Sequence, residues 1–208
     1  MGFSVDRTAV VFIDFQKDVC GEGGRMVAQE PAVLATFRDA RNAAGGLLGR
    51  LRAGAGPRHV FVQHAFEAGY PELAGVRPVG MERYVEAQGA FVLGGDGAAW
   101  VEELCPLAGE PVFTKTTISA FASTPLDRWL RRRGIDTVAI AGVVTHYAVL
   151  AAALAANDLG LRVAVLKDCC AAAARERHEA VLSILAPLAE IVTAEEFLAS
   201  CEGSGPVT

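Results

Sequence analysis

The chain has 208 residues, of which 52% are hydrophobic and 21% charged, and its formal net charge is -5. That balance fits one globular α/β domain with a large core and excludes a disordered chain. The negative charge gives no support to a nucleic-acid or anionic-membrane partner, and no segment approaches the roughly 20 apolar residues that span a bilayer.

Apolar runs alternate with helical patterns along the whole chain. "AVVFIDF", residues 9–15, reads as a buried strand that ends on a carboxylate. Residues 29–54 form a predicted helix with Pro31 in its first turn. "RHVFVQHAF", residues 58–66, is a second strand. Residues 67–97 are irregular and rich in Gly and Pro, with a short helix predicted near Met81 to Ala87. A loop of that length in a compact domain points to a lid or an interface.

"PVFTKT" is a short strand ending on Lys115, and "STPLDRWLRRRG" carries a helix start, with Ser123 or Thr124 as cap, and a stop at Gly134. The basic run Arg131 to Arg133 falls in its last turn, where it complements the helix dipole. "DTVAIAG" is a strand that leads through Thr145, His146 and Tyr147 into an alanine-rich helix. "LRVAVLKD" is a strand ending on Asp168, followed by a helix over 175–185, a short strand "EIVT", and a capping box from Thr193 to Glu196. Strands separated by helices predict a three-layer α/β/α, Rossmann-like domain over 1–208, with a mainly parallel sheet of about six strands.

The five cysteines, Cys20, Cys105, Cys169, Cys170 and Cys201, are odd in number and match no zinc spacing, so a reduced cytoplasm is the expectation. The adjacent Cys169 and Cys170 read as small buried packing. No hydrophobic signal core precedes the first strand, where Asp6 and Arg7 stand.

In a parallel sheet the C-terminal strand ends share one edge, so Asp14, Lys115 and the turn from Thr145 to Ala148 meet at one rim. Burial raises a carboxylate pKa and lowers an ammonium pKa, while their attraction opposes both shifts. The pair is then either a general acid/base set or a structural tie between two strands.

"VFIDFQKDVCGEGG", "TKTTISAF" and "AGVVTHYAV" together resemble the isochorismatase-like hydrolases, also called the cysteine hydrolase superfamily. That family includes nicotinamidases, N-carbamoylsarcosine amidohydrolases and isochorismatases, and the likeness runs in order from about Thr8 to Thr193. The resemblance implies that Asp14 is the base taking the nucleophile's proton and that Lys115 orients it and stabilises negative charge. It implies a cis peptide between Val143 and Val144. The N–H groups of Val144 and Ala148 would then form an oxyanion hole at a helix N-terminus.

The departure from the family is central. Its amidases carry a cysteine where this chain has Ala148, and a methyl group cannot attack a carbonyl. Either alanine is the natural residue or it replaces a cysteine to trap substrate. Isochorismatases also lack the thiol and protonate a vinyl ether with the equivalent aspartate. Their turn typically reads "GVYAHxG"; His146 matches it, whereas Val144 and Thr145 do not.

Nicotinamidases bind a metal through an Asp-x-His pair after the second strand; here His64 follows Val62 and Gln63, so no metal and no other cofactor is expected. His64, Thr145 and His146 are candidate substrate contacts, with Phe15, Tyr70, Trp100 and Phe121 as the predicted pocket wall, while His59 and His178 read as surface residues. The reading that follows is a small-molecule hydrolase acting on an amide or ureido C–N bond. A thiol-independent acid/base hydrolase, cleaving a vinyl ether through Asp14, and a non-catalytic small-molecule-binding member are the alternatives. A homo-oligomer is expected, as the family usually forms, with the alanine-rich helix and residues 67–97 as contacts.

Overall fold

The computed structural model describes residues 2–27, 29–54, 56–75 and 80–202. In chain order these form β1 (Thr8–Ile13), α1 (Lys17–Cys20), α2 (Pro31–Arg52), β2 (Arg58–His64), α3 (Met81–Gln88), β3 (Val112–Lys115) and α4 (Leu126–Arg131). There follow β4 (Thr137–Val143), α5 (Leu150–Asp158), β5 (Arg162–Ala171), α6 (Arg175–Leu185), β6 (Glu190–Val192) and α7 (Ala194–Glu202). All six strands are parallel, in the order β3-β2-β1-β4-β5-β6. The predicted three-layer α/β/α architecture is therefore the one observed.

The central strands show why. β1 and β4 are buried at every position, as strands covered on both faces must be. Along β1, Val10 and Phe12 join the core beneath α2 and α7, with Phe37, Leu48 and Phe197. Ala9, Val11 and Ile13 join the opposite core, with Leu126, Leu130, Ala152, Ala156 and Leu185 of α4, α5 and α6. This is the two-residue alternation of a strand, read out as two separate cores. The small side chains Ala152, Ala153 and Ala156 form the buried face of α5.

Helix ends follow the expected signals. Gly134, at φ +68°, closes α4 in a left-handed turn in which Ile135 N–H reaches the Leu130 carbonyl. The capping box of α7 is reciprocal: Thr193 N–H donates to Glu196 Oε2 at 2.7 Å, and Glu196 N–H donates to Thr193 Oγ1 at 3.1 Å. Thr124 Oγ1 accepts the Leu126 N–H at 3.2 Å, while Ser123 Oγ accepts from Thr116 N–H instead.

Two boundaries differ from the sequence reading. β1 stops at Ile13, because Asp14 turns into the left-handed region at φ +58° and the short α1 follows. β5 continues past Asp168 to Ala171, because a bulge opposite Ile140 and Gly142 lets Cys170 pair with Gly142. Asp168 is left outside, where its Oδ1 accepts the Ala194 N–H of α7. The segment predicted as irregular is tied to the end of β2 through Phe66, which bonds Phe91 and Leu93, and the short helix predicted within it is α3. Its residues 76–79 lie outside the described residues. Cys20, Cys169, Cys170 and Cys201 are buried and Cys105 exposed, all as free thiols. Among the described residues no helix is long and apolar enough to cross a membrane.

Candidate active site

Connections leave β1 in one direction along the sheet and return through β4 in the other, so the crevice at their C-terminal ends is the topological switch point. Four strand ends converge there. β1 delivers Asp14, β2 ends on His64, β3 ends on Lys115, and β4 ends on Val143. The Val143–Val144 peptide is cis. Residues Thr145–Val149 then make one wide π-type turn before α5 begins, and Ala148 lies within it. Gly142 permits the close approach of β4 to β1: a methyl group there would meet Ile13 Cβ at 2.9 Å and the Ile13 carbonyl oxygen at 3.0 Å.

Lys115 crosses beside His64 to reach Asp14, with Nζ 2.8 Å from Oδ2. The ammonium also donates to the carbonyls of Thr117 and Ile118, each at 3.1 Å. Its three N–H bonds are thus all placed on protein oxygens. Burial raises the Asp14 pKa above the ordinary carboxylate value, and the opposing attraction of Lys115 is the smaller effect. Asp14 Oδ1 is buried and has no hydrogen-bond partner among the described residues.

His64 is buried, and its ring stacks on Phe91 at 4.9 Å. Burial first, and the Lys115 cation second, hold its pKa well below the ordinary imidazole value, so the ring is neutral. A hydrogen bond to the Thr116 backbone leaves Nε2 as the ring nitrogen without a partner among the described residues. His146 behaves similarly: burial and then the Arg177 charge lower its pKa, and Nδ1 has no partner among the described residues.

Asp14, His64, Lys115, Val144, His146 and Ala148 all line one cavity of about 630 Å³. The rest of its wall is mostly apolar, from Met26, Met81, Tyr84, Phe91 and Ile118, with Tyr147 and Arg177 also contributing. The model of the isochorismatase domain matches residues 8–196. The chain belongs to the isochorismatase family. It is 31% identical over 202 residues to YwoC, an uncharacterized family protein of Bacillus subtilis (strain 168), across 95% of this chain and 96% of that one. A maleamate amidohydrolase of Pseudomonas putida is 36% identical over 107 residues, which cover 51% of this chain and 50% of that protein. In fold the chain is similar to a cysteine hydrolase from Pseudomonas syringae pv. phaseolicola 1448A, with a TM-score of 0.84 over 98% of this chain and 96% of that one, at 22% identity.

The family's metal-binding pattern finds no fit in these residues. Val62 is buried in the core, and the Gln63 amide is engaged by Thr114 Oγ1 and the Trp100 indole. Among the described residues no three His, Cys, Asp or Glu side chains come together in a group able to hold a metal ion.

The aromatic residues predicted as pocket wall lie elsewhere. Phe15 is wholly buried in the core beneath α2. The Tyr70 hydroxyl donates to the Ala90 carbonyl at 2.8 Å, with its ring against Phe66. Trp100 sets its edge against Phe61 and donates to Gln63. Phe121 packs on the core beneath α4 and α5. Phe15 and Tyr70 are buried in the fold, and Trp100 and Phe121 are half-buried against its two cores rather than in the cavity wall. Thr145 also leaves the cavity: it is fully buried and its hydroxyl lies 2.9 Å from His178 Nδ1.

His178 is therefore half-buried in the structure behind the turn rather than a surface residue, and His59 is likewise half-buried, 2.8 Å from Glu110. Among the wall residues that the sequence reading missed, Met26 and Ile118 come from the loops after α1 and β3, and Met81, Tyr84, Phe91 and Arg177 come from α3, the loop after it and α6. For the last four the sequence signal was the length of the segment 67–97 and the start of α6.

Proposed function

We propose that the protein is a hydrolase of a small metabolite, cleaving an amide or ureido C–N bond. The observation that carries this reading is the buried Asp14 carboxylate, held by Lys115 with Oδ1 unpartnered, in the same cavity as the turn that holds Ala148. Likeness to a maleamate amidohydrolase supports the bond type.

With alanine at 148 no thioester forms, and water is the nucleophile. Asp14 takes one proton from the water as its oxygen bonds to the carbonyl carbon. The carbonyl electron pair moves onto oxygen, facing the N–H groups of Val144 and Ala148 at the start of the helical turn. Collapse of this intermediate breaks the C–N bond, and the proton on Asp14 passes to the leaving nitrogen. The raised pKa suits the carboxyl to both transfers. Lys115 fixes the orientation of Asp14 and places a positive charge beside the developing oxyanion. His64 Nε2, a lone pair facing no protein donor, accepts an N–H of the amide.

The same raised pKa favours a second reading, in which protonated Asp14 delivers its proton to a vinyl-ether carbon. Turnover on a panel of amides, ureides and vinyl ethers separates the two. Release of ammonia that is lost in Asp14→Asn supports the first reading, and enol-ether cleavage alone replaces it with the second. No turnover by either the Ala148 protein or Ala148→Cys leaves a binding role. We also propose a homo-oligomer, for which the exposed Leu154, Ile184 and Leu188 on and after α5 and α6 are contact candidates; a monomer mass by light scattering at micromolar concentration would refute it.

A further inference from the structure

We propose that Asp18 is a positioning residue for the reaction: it grips the backbone of Phe91, sets that ring on His64, and so fixes the place of His64 Nε2. The inference rests on the C–N reading for what His64 does to the substrate, and on separate observations for how His64 is held.

Asp18 lies on α1, shortly after Asp14, and is 1% exposed. A carboxyl group taken that far out of water is tolerated only where its hydrogen bonds offset the lost hydration. Its Oδ2 accepts the Phe91 N–H at 2.7 Å. Its backbone N–H donates to the Gly97 carbonyl at 2.8 Å, and its own carbonyl accepts the Met26 N–H at 2.9 Å. One residue thus ties the end of β1 to three other points of the chain, two of which, Met26 and Phe91, are cavity wall. Gly97 is required for this arrangement, because a methyl group there would overlap the Asp18 carboxylate.

Phe91 needs such a grip. Its φ of +57° puts a bulky residue in the left-handed region, a conformation that persists only where the surroundings enforce it. The residues before it are pinned as well: Arg25 Nη1 donates to the Gly89 carbonyl at 2.6 Å, and the Tyr70 hydroxyl to the Ala90 carbonyl at 2.8 Å. Asp18 takes the Phe91 N–H itself.

The ring so placed lies nearly flat on His64, with 4.9 Å between centroids and 15° between planes. Gln16 fixes the His64 backbone, accepting its N–H at 2.8 Å and donating to its carbonyl at 2.9 Å. The Phe91 face then opposes rotation of the imidazole, which would move Nε2 out of place, and it keeps water off the ring. Gln16 and Asp18, two residues apart, therefore hold the backbone and the ring of the same histidine.

The test uses the full chain carrying Ala148→Cys, alone and combined with Asp18→Ala, Asp18→Asn or Phe91→Leu. Two reagents compete with nothing but water for the introduced thiol: iodoacetamide, whose carboxamide N–H can bond His64 Nε2, and methyl methanethiosulfonate, which has no N–H. Peptide mass mapping reads the rate at position 148. Asp18→Ala should slow iodoacetamide about ten-fold, the loss expected for one hydrogen bond, and the thiosulfonate by less than about two-fold. Asp18→Asn keeps an acceptor oxygen towards Phe91 and should restore most of the iodoacetamide rate. Phe91→Leu leaves the backbone bonds of the loop intact and should reproduce the Asp18→Ala split, which keeps the proposal testable if Asp18→Ala does not fold. By NMR, the His64 ring protons should lose the upfield displacement caused by the Phe91 ring in both Asp18→Ala and Phe91→Leu.

Both reagents slowed alike, an Asp18→Asn protein as impaired as Asp18→Ala, or a Phe91→Leu protein without the split overturns the proposal. The bond type fails separately. If the split and the ring-proton shifts appear but neither the Ala148 protein nor Ala148→Cys hydrolyses any amide, the positioning stands and the C–N reading falls. If amides are hydrolysed while Asp18→Ala leaves the His64 ring protons in place, the reverse holds.

Discussion

Lys115 Nζ lies 2.8 Å from Asp14 Oδ2, with the two side chains 1% and 7% exposed. Removing one partner of such a pair leaves a buried charge without compensation. Lys115→Met is therefore expected to lower stability by about 3–5 kcal/mol at neutral pH. The sign of its pH dependence follows from Asp14. Burial already raises that pKa in the folded state, and loss of the cation raises it further. The folded protein then holds a proton that the unfolded chain releases. The deficit should shrink as pH falls through the raised pKa, so urea unfolding at pH 7.5 and pH 5.5 should show a narrower gap from wild type at the lower pH. A gap that does not change with pH would mean that Asp14 is not the group left stranded.

The Thr145 hydroxyl is fully buried and its partner is His178 Nδ1, 2.9 Å away on α6. His178→Ala strands that hydroxyl at a cost of about 1–3 kcal/mol. Thr145→Val removes both demands at once, so adding His178→Ala to it should cost much less. A double-mutant cycle by urea unfolding reads the coupling; additive losses would show that the bond contributes nothing to holding the turn.

How much of this was legible in the sequence depends on what fixed each residue. Asp14 and Lys115 stand at the ends of apolar strands, and parallel strands put their C-termini on one edge, so their meeting needed no tertiary information. Thr193 and Glu196 were legible for the same local reason, three residues apart at a helix start. Phe15, Tyr70, Trp100 and Phe121 were not, because an aromatic ring near the rim is as well satisfied inside, and only packing decides. Arg177 and Tyr84 were hidden for the opposite reason. They sit on surface-type helical sequence, and only the placement of α3 and α6 over the strand ends makes them cavity wall. The extension of β5 to Ala171 depends on a bulge that no periodicity in the chain announces.

Gly142→Ala should be costly although it adds a single methyl. The new atom would lie 2.9 Å from Ile13 Cβ and 3.0 Å from the Ile13 carbonyl oxygen, between the two strands that carry the site. Overpacking of this kind costs about 1–3 kcal/mol. Gly46→Ala in α2 is the control, since nothing lies within 4 Å of its added methyl and a helix interior prefers alanine by roughly 0.5–1 kcal/mol. Denaturant midpoints moving in opposite directions are expected; equal shifts would contradict the close approach.

Glu110 gathers Arg52, His59 and the Leu107 N–H around one carboxylate. The Arg52 hydrogen bond foremost, with the others assisting against burial, pulls its pKa down to about 2. A depressed carboxylate contributes stability that is complete above its unfolded value and is lost as pH falls towards the folded one. Glu110→Gln should thus be less stable than wild type at pH 7, with the difference closing between about pH 4.5 and pH 2. Acid unfolding curves that stay parallel across that window would dismiss the cluster as a stabilising element.

We propose that the turn around Ala148 is a nucleophile turn beside a working base. Ala148→Cys tests it directly. The Lys115 charge, the start of the helical turn and Asp14 as proton acceptor should all favour the thiolate, taking the pKa below the reference of about 8.5. The native thiols make a clean background: burial pushes Cys20 and Cys170 up to about 12 and Cys169 higher still, and Cys201 is buried, which leaves the exposed Cys105 as the internal standard. Labelling with iodoacetamide at pH 7, read by peptide mass mapping, should modify the introduced thiol much faster than Cys105, and Asp14→Asn should slow that reaction while leaving Cys105 unaffected. Labelling at 148 no faster than at Cys105, or with a rate indifferent to Asp14, would mean that this turn is not a nucleophile site.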